Sequence, residues 1–142
     1  MRNPKIIGFY GESNTGKTTL IEKIIKRLKS EGLKVATVKI TDKEIEIDEE
    51  GKDTWRHSQA GSDLIVLSSP IETDFILKEE RDINEIIQNI NNIGDYDIIL
   101  VEGAKNNDIP KIRIGEIPER ENTILTYKDD FEELIKLIKN SL

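Results

Sequence analysis

The sequence predicts an α/β fold with a mostly parallel central sheet and helices on both faces. Two observations carry that prediction. Apolar runs of strand length alternate with segments whose apolar residues recur every three or four positions, the pattern of βαβ units. The first such unit joins its strand to its helix through residues 11–18, G-E-S-N-T-G-K-T, which match G-x-x-x-x-G-K-[ST]. That motif belongs on a strand–loop–helix turn, so it narrows the class to the three-layer P-loop NTPase fold.

Each element has its own justification. Residues 5–10 (K-I-I-G-F-Y) form a short apolar run suited to a buried strand. A helix is expected over residues 16–30, because Leu20, Ile21, Ile24, Ile25 and Leu28 share one face; Gly32 is placed to end it with a left-handed cap. Residues 33–40 (L-K-V-A-T-V-K-I) read as a strand with Lys39 near its C-terminal end, the edge at which open α/β sheets bind ligands. Residues 41–61 are polar and charged, and Ile45 alternating with Ile47 predicts a short exposed strand within them. Residues 63–68 (D-L-I-V-L-S) are expected as a buried strand and residues 73–78 (T-D-F-I-L-K) as a further one. Residues 82–93 read as a helix burying Ile83, Ile86, Ile87, Ile90 and Ile93, with Asp82 and Glu85 as a capping pair. Residues 97–102 (D-I-I-L-V-E) end four apolar positions in a carboxylate, the form of a Walker B strand. Residues 111–114 and 123–127 are two shorter strands. Phe131, Leu134, Ile135 and Ile138 define a last amphipathic helix, with Asp129 and Asp130 at its start and Lys136 and Lys139 near its end, as its dipole favours. No linker or internal repeat divides the chain, which reads as a single nucleotide-binding domain over residues 1–142.

Composition excludes several chemistries. The 142 residues carry 21 basic and 28 acidic side chains, a formal charge of −7. Such a chain is a poor partner for nucleic acid, whose recognition starts from phosphate neutralisation. It contains no cysteine, so disulfides, thiolate metal sites and cysteine nucleophiles are excluded, in keeping with a cytoplasmic location. No apolar run approaches the ~20 residues that cross a membrane, and the N-terminus leads directly into a strand with no secretory signal. The single histidine, His57, disfavours a protein-only zinc site.

The chemistry is expected at the motif. Gly11 and Gly16 let the backbone approach a polyphosphate closely. The N–H groups of Ser13, Asn14, Thr15 and their neighbours would cradle its oxygens, with the helix N-terminus adding positive charge. Lys17 would reach the outer phosphates, and the Thr18 hydroxyl would bind Mg²⁺. Glu102, at the end of a buried strand and followed by Gly103, is the candidate carboxylate for that Mg²⁺. Asp53 has two readings: it, or Thr54, caps a helix beginning near Trp55, or it serves the site by binding Mg²⁺ or positioning water, with Lys52 and Arg56 beside it. The motif reads phosphates and leaves the base unspecified. No N-K-x-D string follows a strand, since residues 104–108 read A-K-N-N-D.

Several segments in order resemble a known family. They are G-E-S-N-T-G-K-T-T-L-I (11–21), V-K (38–39), D-E-E-G-K-D-T-W-R-H-S-Q-A-G (48–61), D-I-I-L-V-E-G-A-K (97–105) and P-K-I-R-I (110–114). Together the chain resembles the molybdopterin-guanine dinucleotide biosynthesis protein B family over about residues 5–114. The resemblance implies a GTP-binding P-loop protein, usually a homodimer, with weak or assisted GTP hydrolysis. It implies an adapter role in molybdenum cofactor synthesis, with molybdopterin guanylyltransferase as partner and the molybdenum-insertion protein as a second. By position, Gly11, Gly16, Lys17, Thr18 and Thr19 carry over as phosphate and Mg²⁺ residues and Glu102 as the Walker B-like acid. Lys52, Asp53 and Arg56 match the middle motif. The chain departs from the family after Lys39, where Ile40, Thr41, Asp42 and Lys43 stand in place of the family's histidines. The rival readings are a small-molecule kinase, a non-catalytic nucleotide-binding scaffold and a metallochaperone NTPase. Nucleotide titration and phosphate-transfer assays separate them.

Overall fold

The computed structural model describes residues 3–12, 16–105 and 108–140. These divide into two compact units, one formed by residues 1–41 and 83–142 and the other by residues 42–82.

The larger unit is a five-stranded sheet in which every pairing is parallel. Its strands are β1 (Lys5–Gly11), β2 (Val35–Lys39), β5 (Ile98–Glu102), β6 (Lys111–Ile114) and β7 (Thr123–Tyr127), in the spatial order β2-β5-β1-β6-β7. The α/β expectation holds, because side chains alternate across each strand and both faces are apolar. Ile7 and Phe9 of β1 and Ile98 and Leu100 of β5 point to one face, while Ile99 and Val101 of β5 point to the other. On the first face lie α1 (Lys17–Ser30) and α4 (Phe131–Lys139), which contribute Ile24, Leu28, Leu134 and Ile138, all fully buried. Each such side chain stabilises the fold by roughly 1.5–3 kcal/mol relative to exposure. On the second face lies α3 (Ile83–Ile93), which buries Ile83 with Ile87 and Ile90 packed beside it. Ile93, expected on that face, is instead 65% exposed, because it falls in the last position of the helix, where the chain turns to re-enter the sheet.

Local signals end the helices as expected. Gly32 has φ +79°; its N–H donates to the Lys29 carbonyl and that of Leu33 to the Leu28 carbonyl, the paired bonds of a left-handed C-cap. Asp130 accepts the Glu133 N–H at 3.1 Å and caps α4. At the other end of α4, Lys5 Nζ donates to the Leu137 and Asn140 carbonyls at 2.8 and 2.7 Å, and burial holds its pKa below the usual lysine value. Arg27 forms a two-pronged pair with Glu132, and Lys139 pairs with Glu31, so α1 and α4 are also joined at their solvent edge.

The smaller unit holds α2 (Asp53–Gln59) and an antiparallel hairpin of β3 (Leu64–Ser68) and β4 (Thr73–Leu77). Three expectations fail here. Ile45 and Ile47 form no strand and are 64% and 92% exposed; no neighbouring strand lies beside them to complete a ladder. β3 is not a buried strand, since of its residues only Ile65 is buried. Its run pairs with β4 alone, through a turn in which Ser69 N–H donates to the Glu72 carbonyl at 2.9 Å. A capping role for Asp53 or Thr54 also fails. The N-cap of α2 is Lys52, Asp53 is already the first helical residue, and the Thr54 hydroxyl donates to Asp48 instead.

Candidate functional site

β1 ends at Gly11 and α1 begins at Lys17, so the motif occupies the turn at the C-terminal edge of the parallel sheet. Gly16 is the N-cap of α1 with φ +85°, a left-handed conformation in which a Cβ is strained. Its carbonyl accepts the Leu20 N–H at 2.9 Å and starts the helix. No acidic residue stands in the first turn, so no carboxylate of that turn competes with an anion for the positive end of the helix dipole. Lys17 is half-buried, and its Nζ donates back across the turn to the Gly11 carbonyl at 2.9 Å. That places the ammonium at the mouth of the loop, where phosphate oxygens can take the same bond. Thr18 and Thr19 are exposed on the first turn. Ser13, Asn14 and Thr15, expected to form the cradle, lie outside the described residues.

Glu102 is the last residue of β5, and the register sets it between Phe9 of β1 and Lys39 of β2. Neighbouring strands lie about 4.8 Å apart, so Glu102 reaches the ligand edge one strand away from the motif strand. Three strand ends are tied together there. Gly103 N–H donates to the Phe9 carbonyl at 3.0 Å and Ile40 N–H to the Glu102 carbonyl at 2.9 Å. Gly103 has φ +85°, and a Cβ on it would press inside 3.0 Å on the Ile40 carbonyl oxygen. The glycine after the carboxylate is therefore required by both its dihedral and its neighbour.

Thr18, Lys39 and Glu102 line one open recess of about 170 Å³, floored by Ile21, Ile25 and Leu100. The hydroxyl and the carboxylate supply hard oxygen donors suited to Mg²⁺, which is held by one or two protein oxygens with phosphates and water completing its shell. Asp53 is in the smaller unit, exposed on α2 in an open polar recess with Arg56 and His57.

Two further basic residues fasten the chain around β6 and the segment after Glu102. Lys111, the first residue of β6, is fully buried and its Nζ donates to the Ile109 and Glu121 carbonyls, both at 2.9 Å. Burial pushes its pKa below the usual lysine value, with Glu121 opposing and Arg120 adding to that shift. Arg120 donates through Nη1 to the Ala104 carbonyl at 3.1 Å, and its guanidinium lies over the Tyr10 ring at 4.7 Å. Its backbone N–H donates to the Tyr10 hydroxyl at 2.9 Å. The segment after Glu102 is thus fastened to the end of β1. In the sequence Lys111 shows only as part of the P-K-I-R-I segment, with nothing there to mark it as a buried donor. Arg120 leaves none, since its partners are 16 and 110 residues away.

The molybdopterin guanine dinucleotide synthesis protein B model (MobB) matches residues 6–140. The chain belongs to the MobB family. A Haemophilus influenzae molybdopterin-guanine dinucleotide biosynthesis adapter protein is 32% identical over 145 residues, covering 89% of this chain and 75% of the relative. The Escherichia coli adapter of the same name is 32% identical over 111 residues, covering 75% of this chain and 63% of the relative. The crystal structure of Bacillus subtilis MobB superposes with a TM-score of 0.76 at 23% identity, covering 94% of this chain and 95% of that one, which bears out the α/β fold. The family named by the motifs is therefore the family found.

Proposed function

We propose that this chain is a Mg²⁺-dependent GTP-binding adapter in molybdopterin guanine dinucleotide synthesis. It acts in the cytoplasm beside a molybdopterin guanylyltransferase, with the molybdenum-insertion protein as a second partner. The observation that carries the reading is the convergence of three features at one sheet edge. Lys17 stands across the motif turn, the first turn of α1 is free of acid, and Thr18 and Glu102 line one recess. Membership of the MobB family supports the pathway, since the H. influenzae and E. coli relatives are named adapters of it. In this reading the loop and Lys17 would bind the phosphates, and Thr18 and Glu102 would hold a Mg²⁺ that offsets the phosphate charge. Turnover is weak or assisted by the partner, with the exposed Asp53 and Arg56 available to contact another protein.

A homodimer is part of the proposal. Leu64, Val66, Phe75 and Leu77 lie on one face of the β3–β4 hairpin and are each at least 37% exposed, whereas Ile65 on the opposite face is buried. A two-stranded sheet with such a face needs a further covering surface. Sedimentation at twice the 16.2 kDa chain mass is expected, and a strictly monomeric protein removes this part.

The deciding experiment is calorimetric titration with GTP, GDP and ATP, each with and without Mg²⁺. Selective, Mg²⁺-dependent GTP binding is expected, with Lys17→Ala weakening it at least ~10-fold, the usual range for losing a charge-assisted bond. A Lys17→Ala protein that binds GTP normally removes the site assignment. A preference for ATP moves the reading to a kinase.

A further inference from the structure

We propose that Lys39 is a second cation of the nucleotide site and that it reads the terminal phosphate, so that it separates a nucleoside triphosphate from a diphosphate. The inference rests on the nucleotide-binding reading above and adds a residue that neither the motif nor the Walker B-like strand supplies.

The argument starts from register. Lys39 is the last residue of β2 and pairs with Glu102, so both stand at the ligand edge of the sheet. The recess that Lys39 lines also takes in Thr18 and Glu102, the two proposed Mg²⁺ donors. Among its lining residues Lys39 is the single cation, alongside the acidic Glu22 and Glu102. Yet its ammonium is exposed and makes no ion pair or side-chain hydrogen bond among the described residues. Several other cations of this unit are engaged: Lys5 caps α4, Arg27 and Lys139 pair with glutamates, and Lys111 bridges two carbonyls. A lysine placed at a binding edge with no partner is available to a ligand.

Position decides which part of the ligand. Lys17 would reach the outer phosphates from the motif turn, and Thr18 and Glu102 would supply the oxygens for a metal at the same end of the polyphosphate. The recess is lined by Thr18 of α1, Glu102 of β5 and Lys39 of β2. Lys39 therefore approaches the metal end of the polyphosphate from the β2 side, with Lys17 at the β1 side. Its flexible stem spans more than one strand spacing, and a compact ammonium suits one phosphoryl group. A diphosphate ends one phosphoryl group short of it. Lys39 thereby makes the bound state depend on whether the terminal phosphate is present, the property an adapter needs if nucleotide is to control its partner.

The test compares GTP and GDP affinity, with Mg²⁺, for wild type, Lys39→Ala and Lys39→Arg. Because the side chain is exposed and unpaired, Lys39→Ala should melt within a degree or two of wild type. The expected result is about a 10- to 30-fold loss of GTP affinity in Lys39→Ala, from removal of one charge-assisted contact, with GDP affinity changed less than ~2-fold. Lys39→Arg should recover most of the loss. Equal losses for GTP and GDP, or no loss for either, in a protein whose wild type binds GTP overturns this inference alone. A wild type that binds neither nucleotide overturns it together with the proposed function.

Discussion

Replacing Gly103 by alanine tests the architecture on which the site depends. Two penalties meet at this position. Its φ of +85° costs an L-residue ~1–2 kcal/mol. The new Cβ also presses on the Ile40 carbonyl oxygen, a backbone atom that cannot swing away as a side chain would. Overpacking of that kind adds ~1–3 kcal/mol. Reduced freedom of the unfolded chain returns ~0.5 kcal/mol, leaving a net loss of about 1.5–4.5 kcal/mol. With a urea slope of ~1.5 kcal/mol/M, the midpoint should fall by ~1–3 M. Gly32→Ala is the internal control, because Gly32 has φ +79° but nothing lies within 4 Å of its added Cβ. It should lose only the dihedral term, ~1 kcal/mol. The difference between the two variants measures the contact with Ile40. Equal losses, or a Gly103→Ala protein within ~0.5 kcal/mol of wild type, would refute the close-approach argument. Because Gly103 and Ile40 tie Glu102 between β1 and β2, the folded fraction of Gly103→Ala should also need more Mg²⁺ to bind nucleotide.

Two further predictions concern charge. Lys111→Met leaves the Ile109 and Glu121 carbonyls without their buried donor; against this, it removes a buried charge, so a net loss of ~2 kcal/mol by urea unfolding is expected. The lowered folded-state pKa of Lys111 means that the unfolded chain binds more protons between that value and 10.5, so wild-type stability should rise through this window. Lys111→Met should lack that rise, and parallel pH profiles of the two proteins would contradict the assignment. Glu132 shifts in the same direction in a more acidic window: the hydrogen bond from Arg27 holds its carboxyl below the ordinary value of 4.5. Its contribution is present above pH 4.5 and lost as pH falls through the lowered folded value, so the melting difference between wild type and Glu132→Gln should vanish in acid. The pair is exposed and salt should shrink that difference at every pH, which thermal melts at two ionic strengths will report.

Much of the chain was legible from local rules. The 3.6-residue apolar stripe gave α1 and α4, the two-sided apolar runs gave β1 and β5, and Gly32 and Asp130 ended or capped their helices by side-chain chemistry acting within a few residues. The phosphate motif and the carboxylate of Glu102 were legible because both are short strings whose chemistry is carried by residue type. Other features were decided by partners distant in the chain. The run at residues 64–68 looks like a buried strand, but in the structure it pairs with β4 alone and only Ile65 of it is buried. Ile45 and Ile47 alternate as a strand does, but alternation makes no strand without a neighbour to receive its hydrogen bonds.

The sequence by itself therefore determined the fold class, the family and the phosphate-binding turn, because periodicity and short motifs depend on neighbours along the chain. Only the tertiary structure decided that Lys39 and Glu102 are register partners 63 positions apart, that Thr18 joins them in one recess, and that Lys111 and Arg120 hold the loops behind it. The physical reason is the parallel sheet. It orders its strands β2-β5-β1, so chain ends far apart in sequence meet at one edge, and no local pattern records which ends will be adjacent.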